Sequence, residues 1–310
     1  MRTPPVFAAG SRWRLAVKGL LVLGLALAIL KMIQVWAGVR VTIQYPGLLV
    51  ISLFFQFASV VAAAIVWRHS LWQISGMALT GRRAMAHIGI LLVAKYVPGK
   101  VWGMLGRGMA LQKTALSPGQ IAMATFLEQM AFLVSGCLAM AVGWCLTPWG
   151  WLLGMSLLLA WLACPWGLRL LRHLITWMPG RWRTFLSSGA EGHHSLCSRS
   201  FLTLCVMSLG EWIVYASVLF CIVLSLGIEP TFSLAGVIGA AVPAGQLSGM
   251  IVIFLPGGIG VREGVLVYYL QPVMGMEFAV TAAIMLRMTD TLRDVVVGIG
   301  SMRELESEEG

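Results

Sequence analysis

Two stretches of this chain place a Pro-Gly pair inside apolar sequence and surround it with cations. The first reads Lys95-Tyr96-Val97-Pro98-Gly99-Lys100-Val101-Trp102-Gly103 and is followed by Arg107. The second reads Phe254-Leu255-Pro256-Gly257-Gly258-Ile259-Gly260-Val261-Arg262-Glu263. Proline lacks an N–H and glycine tolerates the turn, so each pair stops a helix and a new one begins behind it. The first N–H groups of that new helix are unpaired, and with the helix dipole they give its end a partial positive charge. Helix ends of this kind hold phosphate and other anions. Lys100, Arg107 and Arg262 add full charges, and Lys100 and Arg107, seven apart, share a helix face. The chemistry these residues imply is anion binding. Lys100, Arg107, Gly257, Gly258, Gly260, Arg262 and Glu263 are the candidate substrate contacts, with Pro98, Gly99 and Pro256 as hinges. Bland roles stay open for each: Lys95 as a C-terminal helix cap, Lys100 snorkelling to an interface, Arg262 compensated by Glu263. Gly99 with Gly103, and Gly260 with Gly264, are four apart, a spacing that suits close helix packing.

Glu128, Glu211, Arg287, Asp290, Arg293 and Asp294 lie in or near long apolar runs. Ionisable groups at membrane depth are costly and face a partner or a wet cavity. Glu128 lies 30 residues past Pro98 and Arg287 lies 31 past Pro256, so the two are expected to pair, as a lock, a gate or a proton relay. Asp290 and Arg293 are three apart on one helix and suit each other. Glu211 has no evident local partner, which makes it the proton-coupling candidate. Glu128, Glu211, Arg287 and Asp290 together form the gating and coupling set. No catalytic residue is assigned. His193-His194 has only Glu191 nearby and reads as a loop feature, so no metal or cofactor is expected.

The elements that must position these residues are membrane helices. Only 11% of the 310 residues are charged and 59% are hydrophobic, with a mean hydropathy of +0.87. A soluble domain carries about 25% charged residues. Leu15–Leu30, Leu48–Trp67, Ile121–Leu146, Trp149–Trp166, Phe201–Ile228 and Ala279–Met302 each approach the roughly 20 residues that cross hydrocarbon. The first is read as a retained helix and not a cleaved leader, because its apolar stretch continues to Trp36. Residues 68–87 are expected to form an interfacial helix, and Ser117-Pro118-Gly119-Gln120 a capping box at a helix start. The net charge of +10 sits largely in loops. Arg2, Arg12, Arg14 and Lys18, then Arg68, Arg82 and Arg83, then Arg169, Arg172, Arg181, Arg183 and Arg199 mark the cytoplasmic side, although Lys31 and Arg40 fall opposite. No nucleic-acid partner is implied. Six cysteines without a CxxC pair read as small core residues.

The two breaks lie 158 residues apart, and the spans before them, Leu48–Trp67 and Phe201–Ile228, also correspond. Each half reads helix, helix, hairpin, helix. Following the chain in and out, the first hairpin enters from the cytoplasm and the second from outside. The expected fold is all-α and polytopic: six spanning helices plus two re-entrant Pro-Gly hairpins in an inverted repeat, residues 1–148 and 149–310. Both termini are expected in the cytoplasm. Interrupted helices at matching positions of inverted halves point to a substrate site of the secondary-transporter kind.

At these breaks the chain resembles the flippase-like transmembrane family, also called the lysylphosphatidylglycerol synthase transmembrane region. The resemblance rests on Lys95 to Arg107, Glu128, Leu255 to Gly264, and Arg287, and covers most of the chain. The run Pro-Gly-Gly-Ile-Gly-Val-Arg-Glu is its more specific part. The first break departs from the usual pattern, with Trp102 where glycine is common and the arginine one place later. The resemblance implies an inner-membrane protein that moves lipids or lipid-linked glycans between leaflets. Some relatives carry a soluble aminoacyl-transferase domain. This sequence ends at Gly310, just past its last span, so aminoacyl transfer by this chain alone is not expected.

The leading expectation is therefore a plasma-membrane transporter or flippase for an anionic, lipid-linked substrate, a phospholipid or a polyprenyl-phosphate glycan. No Walker-type phosphate loop is present, so movement would be facilitated or ion-coupled. Two alternatives remain open: an intramembrane lipid-phosphate transferase, for which only Asp290 and Asp294 offer a weak acidic pair, and a scaffold among envelope-biosynthesis enzymes.

Overall fold

A computed structural model describes residues 30, 42–96, 102–111, 116–148, 150–162, 198–252 and 256–307. Over these residues the chain is all-helical, with no strand. The helices are α1 (Pro46–Ser75), α2 (Gly81–Ala94), α3 (Trp102–Ala110), α4 (Pro118–Cys145), α5 (Trp151–Leu162), α6 (Ser198–Ser225), α7 (Phe232–Ile251), α8 (Val261–Met274) and α9 (Met276–Ser307), with a short 3-10 turn at Pro256–Gly258 between α7 and α8.

Local sequence sets these limits. Pro46 opens α1 at a position where its missing N–H costs nothing. Gly76, at φ 70°, closes it in the left-handed conformation. Ser117 and Gln120 form the expected capping box: the Ser117 hydroxyl accepts from the Gln120 N–H at 3.2 Å, and the Ser117 N–H donates to the Gln120 side chain at 2.9 Å. The Thr80 and Thr231 hydroxyls cap α2 and α7.

Four described stretches are long and apolar enough to cross a membrane: α1, α4, α7 and Arg199–Ser225 of α6. They cover the expected spans Leu48–Trp67, Ile121–Leu146 and Phe201–Ile228. Helix α9 runs for 32 residues over the expected last span but carries Arg287, Asp290, Arg293 and Asp294. The expected span Leu15–Leu30 lies outside the described residues except for Leu30, and Trp149–Trp166 is described only as far as Leu162. The chain is a multi-pass helical membrane protein.

One expected element does not exist. Residues 68–87 do not form an interfacial helix. Nothing breaks α1 before Gly76, so Ser70, Leu71 and Ile74 continue it and are buried against protein. A new helix starts only at Gly81.

The helices flanking each break pack on one another: α2 on α3, and α7 on α8. Around these hairpins α1 lies along α6, α4 packs on α7, and α9 packs on α2. The last two contacts are made through glycine. A methyl group at Gly143 of α4 would meet the Ala240 nitrogen at 2.5 Å and the Gly236 carbonyl at 2.6 Å. One at Gly89 of α2 would meet the Val297 carbonyl of α9 at 3.0 Å and overlap Ser301. Small residues let helix backbones approach where no hydrophobic effect drives them together. The apolar core forms two clusters. One centres on α1, α2, α4 and the start of α6, the other on the rest of α6 with α7, α8 and α9.

Candidate functional site

The tip of the second hairpin meets the end of α2, just before the first break. The Gly257 N–H donates to the Lys95 carbonyl at 2.7 Å, main chain to main chain. Gly257 takes φ 61°, and its own carbonyl accepts from Arg287 Nη1 at 3.0 Å. A Cβ at Gly257 would lie 2.8 Å from Arg287 Nη2. Glycine is required here both for the turn and for the close approach of the guanidinium.

Behind this contact lies a dense buried network. Asp290, fully buried on α9, receives Arg262 from α8 at 2.6 Å and Arg293 from its own helix at 3.3 Å. The Tyr215 hydroxyl of α6 reaches both Asp290 oxygens at 2.9 and 2.8 Å, and the Gln56 amide of α1 bonds to it as well. Asp294, one turn further on, receives Lys95 at 2.6 Å, Arg293 at 2.9 Å and the Tyr96 hydroxyl at 2.8 Å. Burial of a charge is tolerable only when it is paired and hydrogen-bonded. Both aspartates meet that condition. Three cations stand against two carboxylates, which leaves the cluster with one formal positive charge in excess.

Next to the cluster a cavity of about 550 Å³ opens between the hairpins and the core of α4 and α6. Lys95, Arg262 and Arg293 supply its positive wall. Gln129 of α4 and Gln246 of α7 add amides, and Glu211 of α6 adds a carboxyl group. Phe132, Trp212 and Leu91 make the apolar remainder. Chemically, such a wall can offer charge compensation and hydrogen bonds to an anion.

A second ion-pair system braces the first hairpin from outside the cavity. Arg107 of α3, fully buried, grips Glu128 of α4 with two nitrogens, donates to the His87 carbonyl at 3.3 Å and lies 4.1 Å over the Trp67 ring. On the other hairpin, Glu263 of α8 pairs with Arg287 of α9 at 3.6 Å. In each case the helix after the break is tied to the helix that follows it, with the signs of the charges exchanged.

The expected Glu128–Arg287 pair is therefore not formed. Each has a closer partner across its own hairpin. Arg262 is not compensated by Glu263 either. Glu263 turns back to the Gly260 N–H at 2.7 Å and occupies the positive end of α8 itself. Asp290 and Arg293 do pair, as the spacing of three implies. Lys95 pairs through its side chain with Asp294, beyond any capping role.

Of the candidate substrate contacts, Arg262 and Gly257 line the cavity. Arg107 faces the core, Gly258 backs onto Gly249 of α7, Gly260 lines a separate apolar groove, and Glu263 pairs with Arg287. Close packing explains Gly103, where a methyl would meet Leu91 at 2.5 Å, but not Gly260 or Gly264, which face open space beside an apolar groove. Pro98, Gly99 and Lys100 lie outside the described residues, while Pro256 opens the 3-10 turn. Glu211 lines the cavity, and no hydrogen bond or ion pair to it occurs among the described residues.

Sequence reasoning left out Tyr96, Tyr215 and Gln56 as site residues, and it left Arg293 and Asp294 outside the gating set. One signal was available for Tyr215: it follows Glu211 by four residues, on the same face of α6. Gln56 carries no such signal, since only the packing of α1 on α6 and α9 brings it to Asp290.

No curated protein matches the chain. The family model described as the lysylphosphatidylglycerol synthase TM region matches residues 12–298, nearly the whole length over which the hairpins, their braces and the charged cluster are distributed. The chain belongs to the lysylphosphatidylglycerol synthase transmembrane-region family.

Proposed function

We propose that this protein is an inner-membrane transporter or flippase for an anionic lipid-linked substrate, a phospholipid or a polyprenyl-phosphate glycan. The single observation that carries this reading is the cavity behind the contact of Gly257 with Lys95, walled by Lys95, Arg262 and Arg293. Moving a charged headgroup through hydrocarbon is costly, and a polar path with an excess positive charge lowers that cost. The apolar tail stays in the lipid.

The packing pattern supports an inverted repeat. The α4–α7 and α9–α2 contacts exchange under it, α1–α6 maps onto itself, and the braces Arg107–Glu128 and Glu263–Arg287 occupy equivalent helices. In this reading residues 1–148 and 149–310 form the two halves. The hairpins enter from opposite faces and take turns opening the shared cavity. Arg287 and Asp290 hold the second tip and the cluster, and act in gating. Membrane lipids or lipid-linked glycans are the partners, with envelope-biosynthesis enzymes acting upstream or downstream.

Reconstitution into liposomes with tail-labelled phosphatidylglycerol and a labelled polyprenyl phosphate tests this. The expected result is leaflet exchange without a chemically altered lipid, reduced at least tenfold by Arg262→Ala in correctly folded protein. A modified lipid would replace transport with an enzyme activity. Exchange that survives both Arg262→Ala and Lys95→Ala would move the site elsewhere.

A further inference from the structure

Every other carboxylate of the described hairpin and cavity region is committed. Glu128 has Arg107, Asp290 has Arg262 and Arg293, Asp294 has Lys95 and Arg293, and Glu263 has Arg287 and the Gly260 N–H. Glu211 alone opens into the cavity without a hydrogen bond or ion pair among the described residues. It lies near the middle of α6, within an apolar stretch long enough to span a membrane.

We propose that Glu211 carries a proton through the transport cycle, and that the proton moves in the same direction as the anionic headgroup. This rests on the transport reading above. The cavity is small enough that headgroup and carboxyl share it. The groups that face Glu211 from the surrounding elements fix the direction of coupling. Helix α6 itself contributes Tyr215, already bonded to Asp290. From α4 come Glu128 and the neutral Gln129, and from α3 comes Arg107, which is neutralised by Glu128. From α7 comes neutral Gln246, and from α1 neutral Ser59 and Gln56. Lys95, Arg262 and Arg293 line the same space, but each already holds an aspartate.

The cluster thus offers one unit of positive charge, enough for one monoanion. A headgroup phosphate that takes this charge leaves nothing to balance an ionised Glu211 in the same low-dielectric space, so headgroup and proton enter together. When the cavity meets water the carboxylate is hydrated, and the proton leaves with the substrate. The cycle moves one H⁺ with one monoanionic headgroup and transfers no net charge. An arrangement with the proton moving against the headgroup would place two anions against a single unit of positive charge at the occupied stage, and the geometry disfavours it.

The test uses the full-length protein in liposomes with a trace of tail-labelled phosphatidylglycerol and a difference of one pH unit across the membrane. Outer-leaflet label is destroyed chemically, and protein-free vesicles are subtracted. Coupling of one proton per lipid drives the label toward the alkaline side until the leaflet ratio approaches about tenfold, since one pH unit corresponds to a factor of ten in proton activity. Glu211→Gln is expected to exchange label to an even distribution whatever the gradient, and Glu211→Asp to restore gradient-driven accumulation. Wild-type exchange to an even distribution under the gradient would overturn proton coupling while leaving transport intact. No wild-type exchange with or without a gradient would overturn the transport reading itself. Accumulation that persists in Glu211→Gln would assign the proton to another group. Proton uptake on adding the same lipid to detergent-solubilised protein gives a second readout independent of vesicles: it is present in wild type, absent in Glu211→Gln, and its persistence in that variant overturns the proposal.

Discussion

Asp290 is the organising residue of the site. It collects two arginines, a tyrosine and an amide from four helices. Asp290→Asn keeps the shape but removes the charge, leaving Arg262 and Arg293 under-compensated. Losing one partner of a buried ion pair costs about 3–5 kcal/mol. The expected outcome is a lower melting temperature in detergent together with loss of lipid exchange. Arg107→Ala strands Glu128 without a counter-charge and removes the stack on Trp67, so a destabilisation of similar size, about 3–5 kcal/mol, is expected. Thermal melting checks it, and Glu128→Gln in the same background should recover part of the loss by discharging the stranded acid. At this scale the sequence was informative about which residues are ionised at depth, because charges are rare in such a chain. It was misleading about who holds whom. Glu128 and Arg287 are offset alike from their breaks, yet a pairing depends on side-chain reach, and in each hairpin a nearer partner was present one helix away.

At the scale of elements, boundaries were legible wherever a local chemical device sets them. Ser117 with Gln120, Pro46, and the Pro256-Gly257 break all mark real helix limits. The expected interfacial helix is absent because Leu71 and Ile74 pack into the protein and the helix that carries them runs unbroken from Pro46 to Ser75. The glycine seams were invisible in sequence, since Gly89 and Gly143 look like any other of the 35 glycines. Their role is steric and depends on a helix from the other half. Gly143→Leu is expected to push α4 off α7, because the added side chain runs into the Gly236–Ala240 backbone. Overpacking of this kind costs about 1–3 kcal/mol, readable as a lowered melting temperature, whereas Gly260→Ala, with open space around its Cβ, should show only the cost of a sparsely populated backbone conformation at positive φ, about 1–3 kcal/mol.

For the whole molecule, the proposed inverted arrangement makes a prediction about sidedness. Ala78 lies exposed just before the first hairpin, and Glu229 lies exposed just before the second. In a background without native cysteines, Ala78→Cys should react with a membrane-impermeant maleimide only after the inner membrane is opened. Glu229→Cys should react in intact spheroplasts. Labelling of both from one face would remove the inversion, and with it the alternating scheme.

Among the described residues, the hydrogen bond between the hairpins joins main-chain atoms, the amide of Gly257 and the carbonyl of Lys95. A bond of this type is indifferent to what side chain residue 95 bears. A substitution at Lys95 therefore keeps this bond while taking a cation away from Asp294. On the proposed transport reading, the side chain at position 95 bears on headgroup preference and its carbonyl on closure, so the first can change while that bond remains.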